Sequence, residues 1–224
     1  MTRPVIGGLY AITPDSACTS ILAGMTQQAL AGGACLIQYR NKTADAALRL
    51  EQAVSLASLC REFRVPLIIN DHVDLAVEVN ADGVHLGRGD MSIIEARRKL
   101  GRKKIVGASC YNRLEHALEA ERQGADYVAF GAFFASATKP GATAVSMDLL
   151  PHAKATLRVP IVAIGGITPG TAMELIRSGA NAVAVSSGLF GAPDIQSTAG
   201  RFAGLFKQNR NSNPHKHGLS NDLS

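Results

Sequence analysis

The stretch "PIVAIGGITPGTAMELIRSGANAVAVSSG", residues 160–188, holds two short apolar runs, IVAI and AVAV, separated by a helix-length segment. Neither run alternates apolar with polar residues, which marks strands buried on both faces. A connection of that length is what two parallel strands need, because a tight hairpin cannot join them. Gly165 and Gly166 end the first run, and Thr168 with Pro169 reads as a helix start. The triplet Gly179-Ala180-Asn181 reads as a helix C-cap followed by a tight turn into the second run. The stretch is therefore one strand–helix–strand unit.

The same unit recurs along the chain. Further runs are "GLYAIT" at 8–13, "ACLIQYR" at 34–40, "PLIIN" at 66–70, "DGVHLG" at 82–87, "KIVGAS" at 104–109 and "DYVAFG" at 126–131. Relatives of the capping triplet precede two of them, "NAD" at 80–82 and "GAD" at 124–126. Between the runs lie helical periods; over 43–62, Ala47, Leu50, Val54 and Ala57 share one face. Eight strands alternating with helices specify an α/β fold, a single-domain (β/α)8 TIM barrel over residues 1–207. The alternative is an open doubly wound sheet, which usually carries G-x-G-x-x-G after its first strand; "GLYAITPDS" has none. Residues 208–224 are polar and aperiodic and are expected to form a disordered tail, with His215 and His217 solvated in it.

Composition narrows the partners. The chain of 224 residues is 46% hydrophobic and 18% charged, a globular composition. Its net charge of +5 is modest and partly carried by the tail, and aromatics make up 5% without interleaving basic runs. That argues against nucleic acid, because there is no stacking platform. No apolar run approaches the ~18 residues of a membrane span, and no signal-peptide core opens the chain. A soluble, cytoplasmic protein with no membrane partner is expected; the homo-oligomeric state stays open. Cys18, Cys35, Cys60 and Cys110 form no C-x-x-C pair and are expected to pack in the core rather than bind zinc.

In a barrel of this kind the chemistry lies at the C-terminal strand ends. The residues ending the runs are Gln38, Arg40 and Lys42; Asn70 and Asp71; His85 and Asp90; Ser109; Ser136, Thr138 and Lys139; Gly165 and Gly166; Ser186 and Ser187. Gln38, Arg40 and Lys42 alternate, so an extended chain points all three one way, and two cations on one face suit a diphosphate. The small residues of "AIGGIT" and "AVSSG" let backbone N–H groups approach an anion, as phosphate sites after strands seven and eight do. Asp71 can cap a helix or serve the mouth. "SIIE", Ser92 to Glu95, is a capping box that leaves Asp90 outside its helix. Asn112 and Glu115 can cap the next helix, leaving Ser109 free. Two carboxylates at adjacent mouths suit Mg²⁺, which takes few protein ligands. His85, inside an apolar run, reads as a satisfied core histidine.

The segments "QYRNK", "IINDHVDLAVEVNADGVHLGRGD", "VGAS", "DYVAFGAFFASATK", "VAIGGI" and "AVAVSS" together resemble the thiamine phosphate synthase family, in order, over roughly residues 8–190. The resemblance implies a Mg²⁺-dependent transferase. It would join 4-amino-5-hydroxymethyl-2-methylpyrimidine diphosphate to a thiazole phosphate, with or without a 2-carboxylate, through a pyrimidine cation. It implies that Asp71 and Asp90 hold Mg²⁺ and that Arg40, Lys42, Asn70 and Lys139 contact the diphosphate. It places Gln38 near the pyrimidine and Ser109 near the pyrimidine and leaving group. Ser136 and Thr138, with Gly166, Val185 and Ser186, would hold the thiazole phosphate. Lys139 would ride on the glycine-rich segment 131–144 as a closing lid. The chain departs from the family pattern at "SATK" for Thr-x-Thr-Lys, at Arg88-Gly89 before Asp90, and at "GAFF" in place of a Gly-Pro start. The related thiazole tautomerases are expected to lack much of the diphosphate apparatus kept here. A Schiff-base aldolase using Lys139, or a non-catalytic thiamine-related paralogue, are the other readings.

Overall fold

The computed structural model describes residues 6–135 and 145–212. Its eight parallel strands pair in chain order, β1 with β2 round to β8 with β1, and close a barrel. The units are β1 (Gly8–Ile12) and α1 (Thr19–Ala31), β2 (Leu36–Tyr39) and α2 (Ala46–Phe63), β3 (Leu67–Asn70) and α3 (Val73–Glu78), and β4 (Gly83–Leu86) and α4 (Ile93–Leu100). There follow β5 (Ile105–Tyr111) and α5 (Leu114–Arg122), β6 (Tyr127–Phe130) and α6 (Leu149–Thr156), and β7 (Ile161–Ile164) and α7 (Ala172–Arg177). Last come β8 (Ala182–Val185), α8 (Ser187–Phe190) and α9 (Ile195–Ser212). The last helix runs past residue 207, so the helical part of the chain extends further than the composition marks it. Among the described residues no helix is long and apolar enough to cross a membrane.

The unalternating runs are two interleaved faces. Tyr10, Ile12, Leu36, Ile68, Ile105, Tyr127 and Val162 fill the lumen, while their neighbours Leu9, Ile37, Ile69, Val106, Val128 and Ala163 pack outward under the helices. Period two is present in every strand, hidden because both faces are apolar. Toward the C-terminal ends the lumen positions turn polar: Gln38 follows Leu36, and Asn70 follows Ile68. Strand register thus carries the site's side chains to one mouth.

The capping triplets do more than end helices. Gly124 (φ 95°), Gly179 (φ 121°) and Asn80 (φ 50°) are left-handed. In each, the next amide reaches back five residues: Ala125 N to Ala120 O at 2.9 Å, Ala180 N to Leu175 O at 3.0 Å, and Ala81 N to Ala76 O at 2.9 Å. The third residue then ties down the preceding strand. Asp126 Oδ2 accepts from Val106 N (2.8 Å), Asn181 Oδ1 from Ile161 N (3.0 Å) and Asp82 Oδ2 from Leu67 N (2.9 Å). Their own backbone amides donate back to those same residues' carbonyls at 2.7, 2.8 and 2.9 Å. These rings staple the N-terminal end of the barrel, opposite the site.

Two readings of the sequence change. The inner face of α2 is Ala53, Leu56, Ala57 and Cys60, while Val54 is 51% exposed. Apolar residues surround this helix, so its phase is ambiguous. A polar contact sets it: Gln52 is drawn into the core, where Tyr39 Oη donates to it at 2.9 Å and Asn41 Nδ2 at 3.0 Å. Of the cysteines only Cys60 and Cys110 are buried; Cys35 is exposed and Cys18 half-buried. Both lie in turns flanking α1, where an apolar neighbourhood in sequence does not mean burial.

Candidate active site

A cavity of about 590 Å³ opens at the C-terminal mouth, a size ordinary for small-molecule sites. Gln38, Arg40, Lys42, Asn70, Asp71, Gly166, Val185 and Ser186 all line it. The alternation at 38–42 continues past the end of β2. Tyr39 and Asn41 turn outward onto Gln52, and the residues between them turn to the cavity. Thr13, fully buried at the end of β1, clasps this extension: its Oγ1 donates to Arg40 O at 3.0 Å and accepts from Arg40 N at 2.9 Å. Asp15 Oδ1 accepts from Lys42 N at 2.8 Å and pairs with the Arg40 guanidinium at 3.4 Å. Sequence reading missed both residues, although Thr13 ends the first apolar run and was open to discovery as a strand-end polar group.

Asp71 does not cap α3; His72 holds that position. Instead Asp71 is a left-handed residue, φ 63°, in an abrupt turn tied by Asp71 N to His85 O at 2.9 Å. Such a conformation costs a non-glycine residue on the order of 1 kcal/mol and concentrates at functional sites. Its carboxyl is pushed up to about 6, first by burial, then by a hydrogen bond and charge repulsion from Asp90; Lys42 and Arg40 oppose the shift. Ser92 and Glu95 form the capping box read from the sequence, leaving Asp90 outside α4. Asp90 is not idle, since its Oδ2 accepts from Gly87 N at 2.6 Å and closes the 87–90 turn. Arg88 stands exposed on that turn. Among the described residues no cluster of three or more metal-ligating side chains occurs. Two adjacent oxygen donors, with Asp90 holding the Asp71 carboxyl up, suit a hard divalent cation completed by water or ligand oxygens.

The opposite wall is backbone. Gly165 (φ 103°) and Gly166 (φ 62°) make the turn after β7. A Cβ on Gly166 would lie 2.5 Å from Ala135 O and 2.6 Å from Phe134 O, so glycine is required for the two segments to cross. Phe134 N donates to Gly165 O at 3.1 Å, and Val145 N to Ala132 O at 2.8 Å. The chain therefore leaves for 136–144 and returns beside this glycine turn. Ser136, Thr138 and Lys139 lie outside the described residues. The helix expected at Thr168 starts instead at Ala172, after a turn in which Thr168 N donates to Thr171 Oγ1 at 3.0 Å.

Ser109 lies at the end of β5, paired in register with the cavity residue Ala129. It is free of capping, but not because Asn112 caps α5. Arg113 is the N-cap, without a side-chain bond, and Asn112 lines the cavity. His85 is a satisfied core histidine, 7% exposed, with Nδ1 2.9 Å from Tyr127 Oη and Nε2 2.8 Å from Ser109 Oγ. Burial lowers its pKa to about 4 and keeps it neutral.

Known proteins resemble this chain in sequence and fold. A family model described as thiamine monophosphate synthase matches residues 9–189. The thiamine-phosphate synthase of Nitrosospira multiformis is 63% identical over 206 residues, covering 92% of this chain and 88% of that one. That of Nitrosomonas eutropha is 55% identical, covering 92% and 97%. The solved structure of a thiamine phosphate pyrophosphorylase from Pyrococcus furiosus superposes with a TM-score of 0.81 at 34% identity, covering 90% of this chain and 96% of that one. A family model that spans most of the chain, and relatives 63% and 55% identical over 92% of it, show that the chain belongs to the thiamine monophosphate synthase family.

Proposed function

We propose that this chain is a thiamine phosphate synthase, condensing 4-amino-5-hydroxymethyl-2-methylpyrimidine diphosphate with a thiazole phosphate. The supporting observation is the cavity's two poles. Arg40, Lys42, Asn70 and Asp71 form one; Gly165, Gly166 and Ser186 form the other; Ile12, Ala129 and Ile164 lie between them. Two substrates, each with an anionic group and an apolar ring, fit that division. Asp71 and Asp90 would hold Mg²⁺, which when bound offsets charge on the diphosphate. Arg40 and Lys42 bind the same group by charge-assisted hydrogen bonds. The bond that breaks joins the pyrimidine's exocyclic CH₂ to the diphosphate oxygen, which leaves with the electron pair. The bond that forms joins that carbon to the thiazole nitrogen. The 4-amino group feeds electrons into the ring as the first bond stretches, so no protein nucleophile is needed. The protein's work is alignment, exclusion of water and stabilisation of the leaving group. Lys139 would add a further cation to the diphosphate. An isomerase acting on the thiazole alone would need only the glycine–serine pole, and the complete cationic pole favours the synthase.

The test is product formation by purified protein given both substrates and Mg²⁺, with EDTA as control. Thiamine phosphate formed with Mg²⁺ and lost with EDTA supports the reading. Binding of both substrates without product would favour the non-catalytic paralogue.

A further inference from the structure

Four hydrogen bonds run in series under the cavity, through side chains of β2, β1, β6, β4 and β5. Gln38 Nε2 donates to Tyr10 Oη at 2.8 Å. Tyr10 Oη lies 2.8 Å from Tyr127 Oη, which lies 2.9 Å from His85 Nδ1. His85 Nε2 lies 2.8 Å from Ser109 Oγ. The interior members are closed to solvent: Tyr10 is 1% exposed, Tyr127 0% and His85 7%. The space for Tyr127 exists because residue 107 is glycine; a Cβ there would overlap the phenol ring.

Counting hydrogens sets the direction. Gln38 donates to Tyr10, so the Tyr10 hydrogen is left for Tyr127. The Tyr127 hydrogen then goes to His85 Nδ1, which must be unprotonated. A neutral imidazole with a bare Nδ1 carries its proton on Nε2 and donates to Ser109 Oγ. Ser109 already accepts, and its own hydrogen is free for the mouth. At the other end, the Gln38 amide nitrogen faces Tyr10, which leaves Oε1 to the cavity that Gln38 lines. Turning the amide over would reverse all four bonds and exchange donor for acceptor at both ends. Any mixed arrangement either leaves a buried hydroxyl hydrogen without an acceptor or sets two like groups face to face, and both are costly in a buried chain.

We propose that this chain is a polarity lock: it couples the amide orientation of Gln38 to the hydroxyl orientation of Ser109. The cavity then presents an acceptor at Gln38 and a donor at Ser109 together. Tyr10, Tyr127 and His85 are positioning residues that never touch substrate. The lock selects a ligand carrying a donor at one side and an acceptor at the other. Resting on the proposed function, that ligand is the aminopyrimidine, with its 4-amino group at Gln38 and an acceptor of the same substrate at Ser109.

The test has two arms. Long-range ¹H–¹⁵N correlation on histidine-labelled full-length protein at pH 7.5 reads the His85 tautomer, assigned by its loss in His85→Gln. The Nε2–H tautomer is expected in the wild type, with that preference lost in Tyr127→Phe; an Nδ1–H tautomer or an imidazolium in the wild type would overturn the lock. The kinetic arm compares Gln38→Ala, Ser109→Ala and the double variant, in wild-type and Tyr127→Phe backgrounds. In the wild type the double loss in kcat/KM should fall short of the product of the single losses by about fivefold, one hydrogen bond's worth. In Tyr127→Phe the losses should multiply. Equal coupling in both backgrounds contradicts the lock, since a merely structural Tyr127 would leave the coupling intact. If Tyr127→Phe does not fold, Tyr10→Phe cuts the same chain one link earlier. The tautomer arm needs no turnover, so a protein that makes no thiamine phosphate would sink the functional reading while the tautomer still decides the lock.

Discussion

Replacing Asp126 by alanine should destabilise the fold severely and leave catalysis alone. The Asp126 side chain is 8% exposed and pairs with Arg97, 18% exposed, at 2.6 Å. It also accepts from Val106 N at 2.8 Å. Losing one partner of a buried ion pair costs about 3–5 kcal/mol. Arg97 keeps hydrogen bonds to Gly124 O (2.8 Å), Gly101 O (3.1 Å) and Lys104 O (2.5 Å), which places the loss at the lower end. About 3 kcal/mol corresponds to a fall in Tm of roughly 6–12 °C for a domain of this size. Asn181→Ala removes the equivalent bond to Ile161 N without an ion pair, so about 1 kcal/mol is expected. Asp82 is exposed, and Asp82→Ala should cost least. Urea unfolding followed by circular dichroism, with equal m-values, reads this order, and steady-state kinetics at 25 °C should show kcat/KM unchanged. These groups lie at the N-terminal end, away from the mouth. An Asp126→Ala variant that lost activity at unchanged stability would refute the division of the barrel into a structural and a catalytic end. Equal stability losses at Asp126 and Asn181 would instead refute the share assigned to the Arg97–Asp126 ion pair.

Other predictions concern the mouth. Lys139→Ala should lower kcat by about a hundredfold or more, as loss of a charge-stabilising group does, with the urea midpoint unmoved; an unchanged kcat would remove Lys139 from the mechanism. The Asp71 carboxyl titrates near 6 in the fold against an ordinary 3.8. The folded state therefore binds more protons in that interval, and stability falls as pH rises from about 4 through about 6. The full shift equals about 3 kcal/mol, reduced to about 1 kcal/mol because the group is half open to solvent. Asp71→Asn should accordingly be the more stable protein at pH 7.5, lose that advantage at pH 4, and lose turnover at both; equal pH profiles of unfolding would contradict this. Thr13→Val removes both bonds to the Arg40 backbone and should cost about 1 kcal/mol. It should also raise KM for the pyrimidine diphosphate several-fold while KM for the thiazole phosphate stays constant, as titration of each substrate would show.

The architecture was legible because each strand is a short apolar run with punctuation at both ends. The triplets at 80–82, 124–126 and 179–181 carried more than their caps, since Asp82, Asp126 and Asn181 also accept from the neighbouring strand. Site residues on strands were legible for the same reason, as register alone carries Gln38 and Asn70 to the mouth. What stayed hidden depends on three dimensions. The phase of α2 follows from a buried glutamine that meets Tyr39 and Asn41. Asp15 and Thr13 act through the backbone of another strand. Tyr10 and Tyr127 look like core residues in their own runs, and only barrel closure brings their hydroxyls to 2.8 Å. Ser136, Thr138 and Lys139 rest on the motif alone and lie outside the described residues.

The most direct measurement is ³¹P NMR of one reaction mixture holding protein, Mg²⁺, the pyrimidine diphosphate and the thiazole phosphate. The account predicts that the coupled diphosphate-ester resonances give way to free diphosphate in equal amount to the thiamine phosphate formed. Release should require both substrates and should be lost in Arg40→Ala and Asp71→Ala. Persistence of the ester signals with both substrates bound, or diphosphate released without thiamine phosphate, would contradict it.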